Sequence, residues 1–260
     1  MKNSFLTMIC CLMPAILITC TDKQSPADIP SSTIFYMDKP AASWYEATPV
    51  GNGRLGGMIY GGVKQDTIRT NDDTFWSGEP RDLQRPGTYK CLPEIRRLLL
   101  EEKNLEAQKV IDANMLGPWN QNYMPLADIL LEWDGDGDVS AYRRELDLNR
   151  GVVTITYSRN GVNYKRELFA SFPDQAIVMN VSADKKKAIA FTAGLGSQVN
   201  HQTKTDGDQV VINGQAPFHT DPNYTGVHSP VYMEGKGMRF EGRLQVKQSD
   251  GEMTAAGDRL

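Results

Sequence analysis

The side chains best able to do chemistry lie close together, between Trp44 and Asp82. Asn71, Asp72 and Asp73 follow one another, with Trp76 just beyond, and Glu46, Asn52 and Arg54 stand upstream. Carboxylates can serve as general acid and base. Amides and guanidinium groups offer fixed donors to hydroxyls, and an indole offers a flat apolar face. Such a set suits a surface that meets sugar or another domain. It does not suit acid–base work by neighbouring carboxylates, because adjacent residues of a strand point to opposite faces, so Asp72 and Asp73 cannot both aim at one bond.

The elements that must position these groups read as strands. Leu55 to Tyr60 is apolar and punctuated by glycine, and Asp66 to Thr70 is short and β-branched. Gly61, Gly62, Lys64 and Gln65 between them suit a hairpin with a longer loop. The second strand then delivers Asn71, Asp72, Asp73 and Trp76 to one end of a sheet, where functional loops tend to sit. Gly51-Asn52-Gly53-Arg54-Leu55-Gly56 matches the dinucleotide fingerprint G-x-G-x-x-G in letters only. That fingerprint must follow a strand and open a helix, and the glycines at 56, 57, 61 and 62 oppose a helix.

The chain of 260 residues is long enough for one large β domain with a sizeable core. Its net charge of −4 argues against nucleic acid, which demands a basic face. Residues 1–20 read as a leader: Lys2 is followed by an apolar run from Phe5 to Ile18, too short to span a bilayer comfortably. It ends Leu17-Ile18-Thr19-Cys20, which resembles a bacterial lipobox and implies lipidation at Cys20 and a place in the bacterial cell envelope. Residues 21–32 are polar with two prolines and read as a flexible tether. Of four cysteines only Cys91 lies beyond the leader, so no disulfide framework or zinc spacing exists there; a buried free thiol at a helix start is expected.

Leu92 to Glu102 reads as a helix with Pro93 in its first turn and a buried stripe of Ile95, Leu98 and Leu99. Leu105 to Met115 reads as a second, with Asn104 as N-cap. The pair is expected to pack as a hairpin on the side of a sheet. Gly117 to Met124 is a loop of amides and rings, whose Trp119 and Tyr123 could stack on a sugar or anchor the loop. Ile129 to Trp133 is a strand. From Arg144 to Gly194 the chain is a meander: Val153, Ile155 and Tyr157 alternate with polar residues, Asn160-Gly161 is a strong hairpin signal, and Val162 to Phe169, Ala176 to Ala183 and Ile189 to Leu195 follow. Residues 198–234 read as irregular, apart from a strand at Gln209 to Asn213. Met238 to Lys247 alternates as a last strand. The chain then ends just past the Asp250-Gly251 turn, as if inside an unfinished sheet.

Two features invite a metal and argue against one. Asp134, Asp136 and Asp138, with Glu145, match the carboxylate positions of an EF-hand loop, but Val139 stands where the sharp turn needs glycine and the flanks read as strands. His201, His219 and His228 have no metal-motif spacing. No metal and no cofactor is expected.

Several segments together resemble the N-terminal domain of glycoside hydrolase family 95, the inverting α-L-fucosidases. They are Trp44-Tyr45-Glu46-Ala47, Pro49 to Gly56, Gly61-Gly62-Val63 and Asn71-Asp72-Asp73-Thr74-Phe75-Trp76-Ser77-Gly78. Leu92 to Arg96, Tyr123 to Leu126, Tyr142 to Leu148, Glu167 to Ser171 and Pro173-Asp174-Gln175 continue the likeness in order. Asp72 and Ala127 depart from it, standing where the family usually has glutamate and glycine. The resemblance implies a mainly β supersandwich of two antiparallel sheets with a small two-helix insertion, over residues 33–260. It also implies that cleavage belongs to a separate α/α barrel acting on fucosylated glycans. An inverting enzyme needs two carboxyls roughly 6.5–9.5 Å apart with water between them; on this reading neither is in this chain. Asn52, Arg54, Asn71, Asp72, Trp76, Trp119 and His219 are then candidates for contact with substrate or with the barrel. Arg54 and Asp72 could instead merely pair, and Trp76 could fill core. Two other readings are a free-standing carbohydrate-binding module and an inactive remnant.

Overall fold

The computed structural model describes residues 33–226 and 229–260. The leader, the tether and His228 lie outside the described residues. The strands are β1 (Ile34–Met37), β2 (Thr48–Gly51), β3 (Leu55–Ile59), β4 (Gln65–Asp72), β5 (Ala127–Trp133), β6 (Val139–Asp147), β7 (Val152–Arg159), β8 (Val162–Ser171), β9 (Ala176–Ala183), β10 (Phe191–Gly196), β11 (Asn200–Asp206), β12 (Gln209–Gln215) and β13 (Arg239–Gln245). Two helices, α1 (Leu92–Leu100) and α2 (Asn104–Asn114), interrupt them between β4 and β5. The fold is mainly β, as the alternating patterns require.

One sheet runs β1-β6-β7-β8-β9 and another β10-β5-β4-β3-β2, with every pairing antiparallel. Their facing sides bury Ile59, Ile68, Leu131 and Trp133 from one and Val153, Ile155, Tyr157 and Leu168 from the other. The meander follows the sequence signals from β6 to β9; the strand expected at Ile189 to Leu195 begins at Phe191 and crosses to the other sheet, where it pairs with β5. Asn160 and Gly161 both take positive φ, 52° and 68°, which is what a two-residue turn between β7 and β8 needs.

A third antiparallel sheet, β11-β12-β13, was not expected from the sequence. Residues 200–206 (NHQTKTD) carry no apolar alternation because β11 is an edge strand with little to bury. β12 supplies the burial instead: Val210 and Ile212 pack with Ala127 and Leu195.

The helical insertion also differs from expectation. Its apolar cluster, Ile95, Leu98 and Ala107 with Cys91, Val110, Ile111 and Met115, contains no sheet residue, so the hairpin closes on itself and is not seated on a sheet. Leu99 is half-exposed, outside the buried stripe. Asn104 is the first residue of α2, not its cap; Lys103 holds that position without a side-chain cap bond. Cys91 is a free thiol before α1, half-buried where burial was expected.

Arg166 and Arg144 reach deepest into the sandwich core, each 1% exposed. Arg166 of β8 donates to the Asp66 carboxylate at 2.7 Å and to the Gly62 carbonyl at 2.8 Å, and both ionic side chains are 1% exposed. Its guanidinium lies 4.8 Å from the Trp133 ring centre and 5.5 Å from that of Tyr157. Arg144 of β6 donates to the carbonyls of Glu46, Ile59 and Tyr60. Asp66 in turn accepts the Gly61 and Thr67 amides. These bonds hold the β3–β4 turn of one sheet against the strands of the other.

Candidate functional site

At the opposite pole, β4 ends at Asp72 and the chain turns out of the sheet. Phe75 plugs the core there: it is 2% exposed and meets Phe240 edge-on at 5.0 Å. Val199 and Ala216 complete the plug with Met124, Leu126 and Phe240. Above it residues 75–77 run antiparallel to 122–124, through Met124 N–H to Phe75 and Ser77 N–H to Asn122. That pairing puts Trp76 beside Tyr123, ring centres 5.4 Å apart and planes at 59°. Both rings are more than two-fifths exposed, 44% and 43%, so their free faces meet solvent.

Ser77 holds three loops together. Its hydroxyl contacts Gln121 Oε1 at 3.1 Å and the Thr220 hydroxyl at 2.8 Å, and accepts the Asn122 amide at 3.0 Å. Asn122 Nδ2 donates to the Thr220 hydroxyl and the Asp221 carbonyl. The Gly78 amide donates to Pro217. Buried hydroxyls and amides with partners of this kind fix loop geometry. The loops therefore present their rings from a rigid base.

The candidate residues divide into two groups here. Asn52, Arg54 and Asp72 are occupied internally. Asn52 accepts the Arg54 and Leu55 amides on Oδ1 and donates from Nδ2 to the Ser171 carbonyl, tying the β2–β3 turn to the end of β8. Arg54 pairs with Asp72 at 2.6 Å and donates to Gln175. They do not form a free donor ledge; of the two sequence readings, pairing is the one observed for Arg54 and Asp72.

Trp76, by contrast, is exposed and does not fill core. Its indole N–H donates to the Asp73 carbonyl at 3.0 Å, which fixes the ring. Asn71 sits beneath, its amide toward Met124 O at 3.5 Å. Burial, with Asp72 and Asp73 nearby, raises the Tyr123 phenol above its ordinary value, so the hydroxyl stays protonated.

Trp119 is 56% exposed and meets Tyr224 edge-on at 5.6 Å. Arg81 donates to its carbonyl. His219 joins the same loops: Nδ1 lies 3.2 Å from Gln121 Nε2, and Nε2 3.1 Å from Asp221 Oδ1. Its imidazole is thus engaged at both nitrogens as a brace between loops. Ser77, Gln121, Asn122 and Thr220 were not singled out from sequence. Their contacts span 44 to 143 positions, and no local pattern signals them.

Asp72 supplies a test of the pole's construction. Burial opposes its charge, but the Thr74 hydroxyl and amide and the Arg54 guanidinium outweigh that and hold the carboxyl below its ordinary value of 3.8. A depressed carboxyl contributes stability above its unfolded value and loses it as pH falls through the folded one. Asp72→Asn is expected to cost about 1.5–3 kcal/mol at neutral pH, typical of hydrogen bonds to a charged group. In urea titrations the gap from wild type should close as pH drops below 3.8.

The acidic turn at Asp134 to Asp138 is held by protein groups. Arg159 donates to the Asp134 and Gly135 carbonyls, and Lys64 pairs with Asp136 at 2.8 Å. Among the described residues no group of three or more His, Cys, Asp or Glu converges as metal ligands would.

Residues 35–260 match the family described as glycosyl hydrolase family 65, N-terminal domain. Alpha-L-fucosidase 2 of Arabidopsis thaliana is 33% identical over 82% of this chain and 26% of its own length. Probable alpha-fucosidase A of Aspergillus niger is 27% identical over 65% of this chain and 22% of its own. The chain thus spans about a quarter of the length of these relatives. With a two-sheet antiparallel body, and a family match that runs over almost all of the described structure, the chain belongs to the glycosyl hydrolase family 65 N-terminal domain family.

Proposed function

We propose that this chain is the non-catalytic N-terminal part of an inverting α-L-fucosidase of family 95, and that its pole of three braced loops seats the catalytic barrel. The observation that carries this is the pole itself: Trp76, Tyr123 and Trp119 stand exposed on loops locked by Ser77, Asn122 and Thr220. Exposed rings on a rigid polar base resemble the anchors of protein interfaces, where tryptophan and tyrosine dominate. The fucosidase relatives support the activity of the whole enzyme, and fucosylated glycans are its proposed substrates. Bond cleavage is assigned to the barrel. Asp66 and Asp72, the two buried carboxylates of the second sheet, are each committed to an arginine, at 2.7 and 2.6 Å. Lipidation at Cys20 would hold the protein to the bacterial envelope; Cys20→Ala should then move it from the membrane fraction to the soluble one.

The direct test is hydrolysis of an aryl α-L-fucoside by the chain alone. No turnover is expected; robust turnover would sink the assignment. The binding-module alternative is favoured by the same exposed rings, so a second measurement separates the two. Titration with methyl α-L-fucoside, followed by tryptophan fluorescence, should give no saturable change below about 10 mM, weaker than roughly 3 kcal/mol of binding. Saturation that Trp76→Ala abolishes would establish a free-standing sugar site instead.

A further inference from the structure

Among the described residues each sheet edge but one carries a device against pairing. β1 and β2 are four residues each, and β2 contains Pro49. The free edge of β10 is filled: Ala193 exchanges both backbone bonds with Leu260, at 2.8 and 2.9 Å. β11 carries Lys204 and Asp206, and β13 carries Arg239, Glu241 and Arg243. Short strands, proline, charge and coverage are the usual protections of an edge.

Among the described residues β9 has none of them. It ends its sheet, is eight residues long, and reads AIVMNVSA, without charge, proline or glycine. The Asp184 amide bonds to the Asn163 carbonyl beside the Tyr164–Ala183 pair. Antiparallel pairs alternate, so Ala176, Val178, Asn180 and Ser182 bond to β8. The backbone groups of Ile177, Met179, Val181 and Ala183 point away from it. Among the described residues no hydrogen bond reaches them. The inward side chains also remain partly open. Ile177, Met179 and Val181 are half-buried, whereas their neighbours on β8, Arg166 and Leu168, are 1% exposed.

We propose that β9 is an interface with a second copy of this chain, pairing antiparallel with its own counterpart into one continuous sheet across a two-fold axis. Only polypeptide backbone matches an alternating row of N–H and C=O groups. A two-fold interface must also be self-complementary, and an uncharged strand meets itself without the like-charge contacts that β11 or β13 would create. Half-buried Ile177, Met179 and Val181 would be covered in the process. This proposal is independent of the glycan reading.

Sedimentation velocity of the full chain over a wide concentration range tests it, with hydrogen exchange at the high end. The weight-average mass should rise toward twice the single-chain value, and the amides of Ile177, Met179, Val181 and Ala183 should become protected as it does. Asn180 is exposed and close to the proposed axis, so Asn180→Lys should return the mass to one chain without changing the circular dichroism spectrum. A single-chain mass at every concentration would overturn the proposal. So would a doubled mass that survives Asn180→Lys with those four amides unprotected.

Discussion

Arg166→Ala is expected to lower the free energy of unfolding by about 3–5 kcal/mol, the usual cost of removing one partner from a buried ion pair. The reason is what stays behind. Asp66 would keep its backbone bonds to Gly61 and Thr67 but lose the guanidinium that pairs with it, in a site where both side chains are 1% exposed. The Gly62 carbonyl would lose its donor, and the rings of Trp133 and Tyr157 would face a cavity. Equilibrium urea unfolding should show the midpoint falling at unchanged slope. Arg166→Met with Asp66→Leu should recover a sizeable part of the loss, since apolar replacement of both partners avoids the stranded charge. A single variant within about 0.5 kcal/mol of wild type, inside the range of an ordinary surface substitution, would show that the pair does not hold the turn.

Gly62→Ala should be comparably severe. A Cβ there would lie 1.8 Å from the Gln65 carbonyl oxygen and 2.9 Å from its carbon, both backbone atoms that no rotamer change can move. The β3–β4 turn would have to open, and with it the bonds from Arg166 to the Gly62 carbonyl and from Arg144 to Tyr60. A loss of at least about 3 kcal/mol is expected, in the range reserved for backbone and core disruption. Gly53→Ala makes the comparison: its φ is positive, 93°, but nothing lies within 4 Å of the added carbon. It should cost only about 1–2 kcal/mol, from the left-handed backbone alone. If the two variants unfold at the same midpoint, close packing at Gly62 is not what matters.

The meander shows how much of this molecule can be read directly. Alternation in Val153 to Ser158 and the Asn160-Gly161 turn fix both strand and register locally, because a one-residue slip would invert every side chain. The family likeness extended that to a mainly β body and a helical insertion. Other parts resisted. β11 is polar on both faces, so periodicity had nothing to detect. The helical hairpin has an apolar stripe whichever surface it covers, and only its tertiary packing shows that its stripes cover each other. Arg144 and Arg166 share the inward parity of Leu146 and Leu168, but an arginine at such a position can be buried only if distant carbonyls and a carboxylate meet it.

At the pole the division is the same. Residue types alone established that Asn52, Arg54, Asn71, Asp72 and Trp76 crowd one end of a strand pair, and that two adjacent aspartates could not share a bond. Whether each was free or spent depended on partners far along the chain. Ser171 and Gln175 satisfy Asn52 and Arg54 from another sheet, while Tyr123 and Asn122 lift Trp76 into solvent. Local order is encoded by propensity and alternation over a few residues. The fate of a polar side chain is settled by whichever groups folding brings within hydrogen-bond reach of it.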